Sequence, residues 1–348
     1  MKTLLLLLFI QTCLGQVLLP PGFHIEEFAT VPAARSMAMA TDGTLFVSTR
    51  DQGMVYAVQD GNAQIILSGR NMPNGVAYKD GNLFVAEVHQ VLILKDILNN
   101  LDKPLVEVFA GGLPKDKHHG WKFIRFGPDG NLYVPVGAPC NICEEPDPYA
   151  SILKLDMITR KFSVYARGIR NTVGFDWNPK DQSLWFSDNG RDWLGDDAPP
   201  EEINRADQAG MHFGYPYCHG EKIQDPEFGK DKDCASYTKP ALSLQAHTAG
   251  LGLRFYTGSS FPKKYHGGIF LAQHGSWNRS KKVGYQVLFI PVEGDRAKKA
   301  EVFASGWLGE KERVSGRPVD VQNLPDGSIL VSDDYAGKIY RVFYSHEE

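Results

Sequence analysis

Residues able to do chemistry gather in four stretches of this chain. The first is GGLPKDKHHGWKF, residues 111–123, where His118 and His119 stand beside Gly120 and Trp121. A histidine in such a loop titrates near neutral pH and can serve as a general base; two histidines in a lysine-rich loop also suit an ordinary solvated surface. The second is a set of arginines at the ends of extended segments: Arg50, Arg170, Arg191, Arg254, Arg279 and Arg317. Brought together, they would form a cavity for an anion with several carboxylates. Taken singly, each also fits a surface charge or a local ion pair. The third is the acidic loop after Ser187, where Asp188, Asn189, Arg191, Asp192, Asp196, Asp197, Glu201 and Glu202 fall within 15 residues. Carboxylates and backbone carbonyls on Gly- and Asp-rich turns bind hard cations, but Asp192-x-x-x-Asp196-Asp197 lacks the spacing of a helix–loop–helix calcium loop, and a loop laced by its own hydrogen bonds explains it equally. The fourth pairs AHTAGLGLRFYTGSSF with LAQHGSWNRS, bringing His247, Arg254, His274, Trp277, Asn278 and Arg279 together. Asn278-Arg279-Ser280 also fits a glycosylation sequon, a use that ranks below the others here.

The elements that must position these residues recur along the chain. Six times a strand leads through a turn, often Asp-Gly, into a second strand: SMAMATDGTLFVSTR, NGVAYKDGNLFVAEV, FIRFGPDGNLYVPVG, VGFDWNPKDQSLWFSDNG, LRFYTGSSFPKKYHGGIFLAQHG and PVDVQNLPDGSILVSDD. A further strand follows most copies, as at residues 54–58, 91–94, 152–155, 285–291 and 337–344. Strand-and-turn self-similarity at this period is the signature of a β-propeller. The chain therefore reads as all-β, a six-bladed β-propeller with a long inserted loop region around blades four and five. From the turn markers Asp42, Asp80, Asp129, Asp181, His266 and Asp326, the steps are 38, 49, 52, 85 and 60 residues, so the fourth step carries the insertions. Residues 23–31, ahead of the first copy, are expected to close the ring by adding a strand to the last blade, because a ring must hide its edges.

The bulk numbers agree. At 348 residues, 43% hydrophobic and 11% aromatic, the chain can fill a large core, and its net charge of −4 gives no argument for nucleic acid or an anionic membrane surface. Residues 1–15, MKTLLLLLFIQTCLG, read as a signal peptide too short to span a bilayer; a buried helix or a lipid anchor at Cys13 fits less well. Residues 16–348 are then one propeller domain, secreted or periplasmic, with no membrane insertion. Cleavage leaves Cys140, Cys143, Cys218 and Cys234, and four cysteines in an exported chain point to two disulfides. The local pairing, 140–143 with 218–234, is preferred among the three possible; half a zinc site at Cys140-x-x-Cys143 would want a second close pair.

Together, IRNTVGFDWNP, DNGRDWLGDDAPPEEIN, FGYPYCHG, AHTAGLGLRFYTGSSF and AQHGSWNRS resemble the glucose/sorbosone dehydrogenase family, over nearly the whole chain from about Phe23 to Tyr344 and closest to its sorbosone-dehydrogenase-like branch. Members are exported six-bladed propellers that use pyrroloquinoline quinone (PQQ) with Ca2+. The resemblance implies a dehydrogenase for a sugar, polyol or aldehyde, passing electrons to an external acceptor. It implies His119 as catalytic base, Arg170 and Asn171 contacting cofactor and substrate, and the backbone carbonyls of Gly190 and Arg191 holding the calcium. Arg317 would bind a cofactor carboxylate, with Arg50, Arg191, Arg254, His274 and Arg279 completing the pool of cofactor-binding residues. Three positions depart from the family: Ala138 stands where sugar oxidases place an aspartate near the base, Lys122-Phe123 where they place an arginine, and the fifth-blade lysine has only His274 or Arg279 as a stand-in. Two other functions share this architecture, a non-catalytic binding propeller and a calcium-dependent lactonase; the arginine- and histidine-rich candidates argue against the latter.

Overall fold

A computed structural model of the chain describes residues 17–345; the expected signal peptide at residues 1–15 lies outside them. The described residues build six four-stranded antiparallel sheets, arranged as the blades of a β-propeller. Their first strands are Met37–Met39, Gly75–Lys79, Arg125–Phe126, Phe175–Trp177, Gly250–Phe255 and Pro318–Asn323. Each expected strand pair is present.

The Asp-Gly punctuation has a local physical reason. In blades one, three, four and six the turn aspartate accepts the backbone N–H two residues on, as Asp42 does from Thr44 (2.9 Å), Asp129 from Asn131 (3.1 Å), Asp181 from Ser183 (3.0 Å) and Asp326 from Ser328 (2.9 Å). Such side-chain mimicry of a backbone turn is what Asp offers. Blade two uses a tighter hairpin. Lys79 faces Asn82 directly, and Asp80 and Gly81 take φ of 49° and 78°. Two consecutive positive φ angles define the turn that matches strand twist, and Asp-Gly tolerates it.

Ring closure is as expected. Phe23–Thr30 becomes the outermost strand of the sixth blade, antiparallel to Lys338–Tyr344, with Phe23 opposite Tyr344 and Thr30 opposite Lys338. Phe23 anchors it. Its ring meets Phe261, Phe303, Tyr344 and Tyr265 at centroid distances of 4.8, 5.0, 5.0 and 5.2 Å, all edge-on.

The extra length of the fourth repeat falls inside blade four. Its third strand, Glu201–Ala206, is separated from its fourth, Leu242–Leu244, by a segment holding the small hairpin Cys218–His219 with Ile223–Gln224. The Cys218–Cys234 disulfide ties this insertion down, and Cys140–Cys143 closes a short loop in blade three, so both local pairings are present. Blade five carries only a minor insertion, the hairpin Val292–Glu293 with Arg296–Ala297. No helix among the described residues is long and apolar enough to cross a membrane.

Truncating Phe23 removes the aromatic contact between the closing strand and blades five and six. We expect Phe23→Ala to lower unfolding free energy by about 3–5 kcal/mol in chemical denaturation, the range for buried phenylalanines, whereas Ile158→Ala at a 92% exposed position should stay near wild type.

Candidate functional site

At one end of the propeller, the segments entering the first strands meet the segments leaving the second strands. Between them lies a cavity of about 380 Å³ lined by residues from five blades, among them Arg50, His119, Arg170, Asn171, His274 and Arg317. These six converge for a topological reason: each sits just before a first strand or just after a second.

His119 is the most telling. Its Nδ1 lies 2.8 Å from the carbonyl oxygen of Ala138. A carbonyl can only accept, so Nδ1 carries the proton and Nε2 is left with its lone pair. Burial, reinforced by the Arg170 and His118 charges, holds the imidazole well below its usual range, so it is neutral at pH 7. The main chain of Ala138 thus orients the His119 imidazole. Gly137 makes this approach feasible, since a Cβ there would lie 2.6 Å from the His119 Cβ and 3.2 Å from Asn171 Oδ1.

Arg170 is buried and held by four acceptors: Asn141 O (2.8 Å), Asn141 Oδ1 (3.0 Å), Asn189 O (3.1 Å) and Asp192 Oδ2 (3.3 Å). Its backbone N–H and that of Asn171 both donate to Asp188, at 2.9 and 2.7 Å, which locks the Arg-Asn pair at the mouth of blade four. The Arg317 guanidinium donates only to backbone carbonyls, His274 O and Gly275 O, both at 3.0 Å, while its backbone N–H donates to Asp333 at 2.9 Å. Among the described residues, no carboxylate lies within ion-pair distance of it. Arg50 stacks 4.7 Å over the Trp121 ring and pairs with the exposed Asp51.

His274 faces the same cavity, but as a neutral group. Burial pushes it down to about 4, and its Nε2 donates to Asp334 at 2.8 Å. Burial alone would raise Asp334; the His274 hydrogen bond and the Arg35 charge outweigh it and hold that carboxyl below the usual range. The Arg35–Asp334 ion pair, 2.6 Å, completes a chain from blade one to blade five.

Three side chains of the expected set are placed elsewhere. Arg191 turns away to Asp225 (2.6 Å) and Glu227 (3.0 Å), drawn by a buried carboxylate that His219 also contacts. Arg279 is spent on the Asp196 carbonyl and the Asp197 carboxylate. Arg254 is the fifth residue of its strand, so it lies inside the channel rather than at this mouth. It donates to Val321 O at 2.8 Å and lines a second cavity at the first strands. Lys122, beside the position of the missing arginine, is buried against the Gly120 carbonyl, and Phe123 is core. The acidic loop is laced by its own contacts: Asp192 to Arg170 and Asn278, Asp196 to Ser280 N, Asp197 to Arg279. Among the described residues no group of three or more His, Cys, Asp or Glu side chains is arranged to hold a metal ion.

Arg35 lines the cavity although nothing in the sequence singled it out, and Trp121, Asn189 and Glu201, expected only as members of their loops, line it as well. All but Glu201, which opens the third strand of blade four, obey the same positional rule as the rest. Glu201 receives Gly190 N (2.9 Å) and Ala249 N (3.3 Å), and burial raises it to about 7.

Would PQQ and calcium suit this cavity? Arg317 offers a guanidinium without a carboxylate partner, and the buried Asn189 Oδ1 and Trp121 Nε1 have no hydrogen-bond partner. No donor within the described chain reaches the carbonyl oxygens of Gly190 or Arg191. Unmet acceptors beside a guanidinium suit a hard cation and a polycarboxylate together. The residues fit.

Gly137→Ala should displace His119 from the Ala138 carbonyl. In 15N-histidine spectra the hydrogen-bonded Nδ1–H tautomer of His119 should give way to a mixture, with the fold retained by circular dichroism.

Comparison with known proteins agrees with this architecture. The calcium structure of the family AA12 carbohydrate-active enzyme of Trichoderma reesei superposes with a TM-score of 0.82, at 18% identity, covering 97% of this chain and 99% of that one. The holo PQQ domain of pyranose dehydrogenase from Coprinopsis cinerea gives 0.76 at 17% identity, covering 94% and 97%. PQQ-bound aldose sugar dehydrogenase from Streptomyces coelicolor gives 0.68 at 17%, covering 94% and 100%. In sequence, the PQQ-dependent pyranose dehydrogenase of Coprinopsis cinerea is 30% identical over 125 residues, 30% of this chain and 16% of that protein. An uncharacterized protein of Borreliella burgdorferi is 34% identical over 342 residues, 93% of this chain and 90% of its own. Residues 157–345 match the model of the TrAA12-like family, and with that match covering more than half of its length the chain belongs to this family.

Proposed function

We propose that the protein is a PQQ- and calcium-dependent dehydrogenase that oxidises a sugar, polyol or aldehyde, exported as one propeller domain after loss of residues 1–15. The observation that carries this reading is His119: a neutral imidazole, oriented by the Ala138 carbonyl, presenting a free Nε2 to a guanidinium-rich cavity. Two disulfides support export, since they persist in oxidising compartments.

When bound, PQQ supplies an electrophilic quinone carbonyl that accepts hydride, and calcium polarises it. Arg317 and Arg50 would supply the countercharges for cofactor carboxylates, and Asn171 and Arg170 would contact cofactor and substrate. The carbonyl oxygens of Gly190 and Arg191 would hold the calcium. His119 Nε2 takes the proton of the substrate hydroxyl, and its Nδ1–H bond keeps the ring from rotating as it charges. Arg170 beside it disfavours the imidazolium, so the base returns its proton readily. Turnover would require an external electron acceptor.

The test is reconstitution of purified protein with PQQ and calcium, following cofactor absorbance and dye reduction over aldoses, polyols and aldehydes. We expect calcium-dependent binding that Arg317→Ala weakens. His119→Ala should bind the cofactor but lose turnover by about 10²–10⁴-fold, the usual contribution of a general base. Absence of any cofactor binding would overturn the reading in favour of a binding propeller.

A further inference from the structure

Two tryptophans stand in solvent at the rim of the cavity. Trp193 is 67% exposed and Trp277 is 69% exposed, and their rings pack edge-to-face at a centroid distance of 5.6 Å. Trp277 itself lines the cavity, as do Asp192 and Asn278, the immediate neighbours of the two indoles. Large aromatic side chains left in water side by side forgo the burial that would stabilise them elsewhere.

The backbone is arranged to keep them there. Trp193 has φ of 72°, in the left-handed region that a bulky side chain rarely occupies. The surrounding bonds hold it in place. Asn141 Oδ1 accepts Asp192 N (2.8 Å), Asn141 Nδ2 donates to Asp192 O (3.2 Å), and Asn278 Nδ2 donates to Asp192 Oδ1 (3.3 Å). On the far side, Ser280 N donates to Asp196 (3.0 Å) and His247 Nε2 donates to Gly195 O (2.8 Å). The acidic loop and the 274–280 loop thus form one laced unit that presents both indoles outward. Strain maintained by surrounding structure marks functional positions.

We propose that Trp193 and Trp277 form an outer sugar-binding platform, continuous with the cavity, for the second pyranose ring of an oligosaccharide. This deepens the reading of the cavity as a sugar site. The apolar C–H faces of a pyranose stack on indole faces, while its equatorial hydroxyls need polar partners at the edges, which the Asp192 carboxylate and Asn278 amide supply. Two perpendicular indoles suit a ring that is stacked on one face and bounded on a second side. A monosaccharide seated in the cavity would leave the platform bare; a longer sugar would cover both. The substrate class is therefore an oligosaccharide oxidised at its terminal unit rather than a free hexose.

The experiment is titration calorimetry on the protein without added cofactor, using cellotetraose, maltotetraose and xylotetraose against glucose and xylose. At least one tetrasaccharide should bind tenfold or more tightly than its monosaccharide. Trp193→Ala should reduce that advantage to less than twofold, and Trp193→Phe should restore at least half of it on the free-energy scale. Equal binding of all five sugars would overturn the proposal, as would an advantage that survives Trp193→Ala. Because the readout needs no PQQ, tetrasaccharide preference without turnover would sink the dehydrogenase reading and leave the platform standing. Turnover without that preference would do the reverse.

Discussion

Everything at the site depends on a ring that closes. Six sheets around one axis leave the last blade one strand short until the first described strand, Phe23–Thr30, pairs with the last, Lys338–Tyr344. Blade one and blade six are then neighbours, and Met37 N can donate to Asp320 at 2.9 Å across nearly the whole length of the chain. The same closure lets Arg35, from the start of blade one, reach Asp334 at the end of a blade-six strand and through it His274 in blade five. Without the closing strand these contacts have no common frame. The cross-strand pairs Arg341–Glu26 and Lys338–Glu27 are solvent-exposed and add little; the backbone ladder and the aromatic cluster around Phe23 hold the seam.

Burial then sets the chemistry of the cavity. It lowers His119 and His274 and raises Glu201 and Asp188, because each charged form loses solvation. The signs for stability oppose one another. His274, depressed to about 4, costs stability as pH falls below its unfolded value near 6.5. Glu201, raised to about 7, contributes stability that is full below 4.5 and lost as pH rises through 7. Near neutrality the cavity therefore holds the uncharged imidazoles of His119 and His274 among arginines, a field that favours anions.

Much of this was legible in the chain. The six strand-turn-strand copies, the closing strand and the local disulfides follow from period, turn chemistry and cysteine spacing. The positional logic of the site was legible too, since His119, Arg170, Asn171, His274 and Arg317 all flank strands at one end of their blades. What the sequence did not disclose was side-chain direction. Arg254 sits within its strand rather than before it, and Arg191 and Arg279 answer to carboxylates supplied by distant loops, Asp225 and Asp197. Nor could residue type alone reveal that the Ala138 carbonyl orients His119. An alanine in place of an aspartate reads as a loss until the main chain is seen to take the task.

The central claim is that His119 works as a neutral base with a depressed pKa. It is tested most directly by the pH dependence of kcat/KM in protein loaded with PQQ and calcium. Because protonation silences the base, kcat/KM should rise with pH along a single acid limb lying well below 6.5, and be flat through pH 7. A limb at or above 6.5, or one that persists in His119→Gln, would contradict the account.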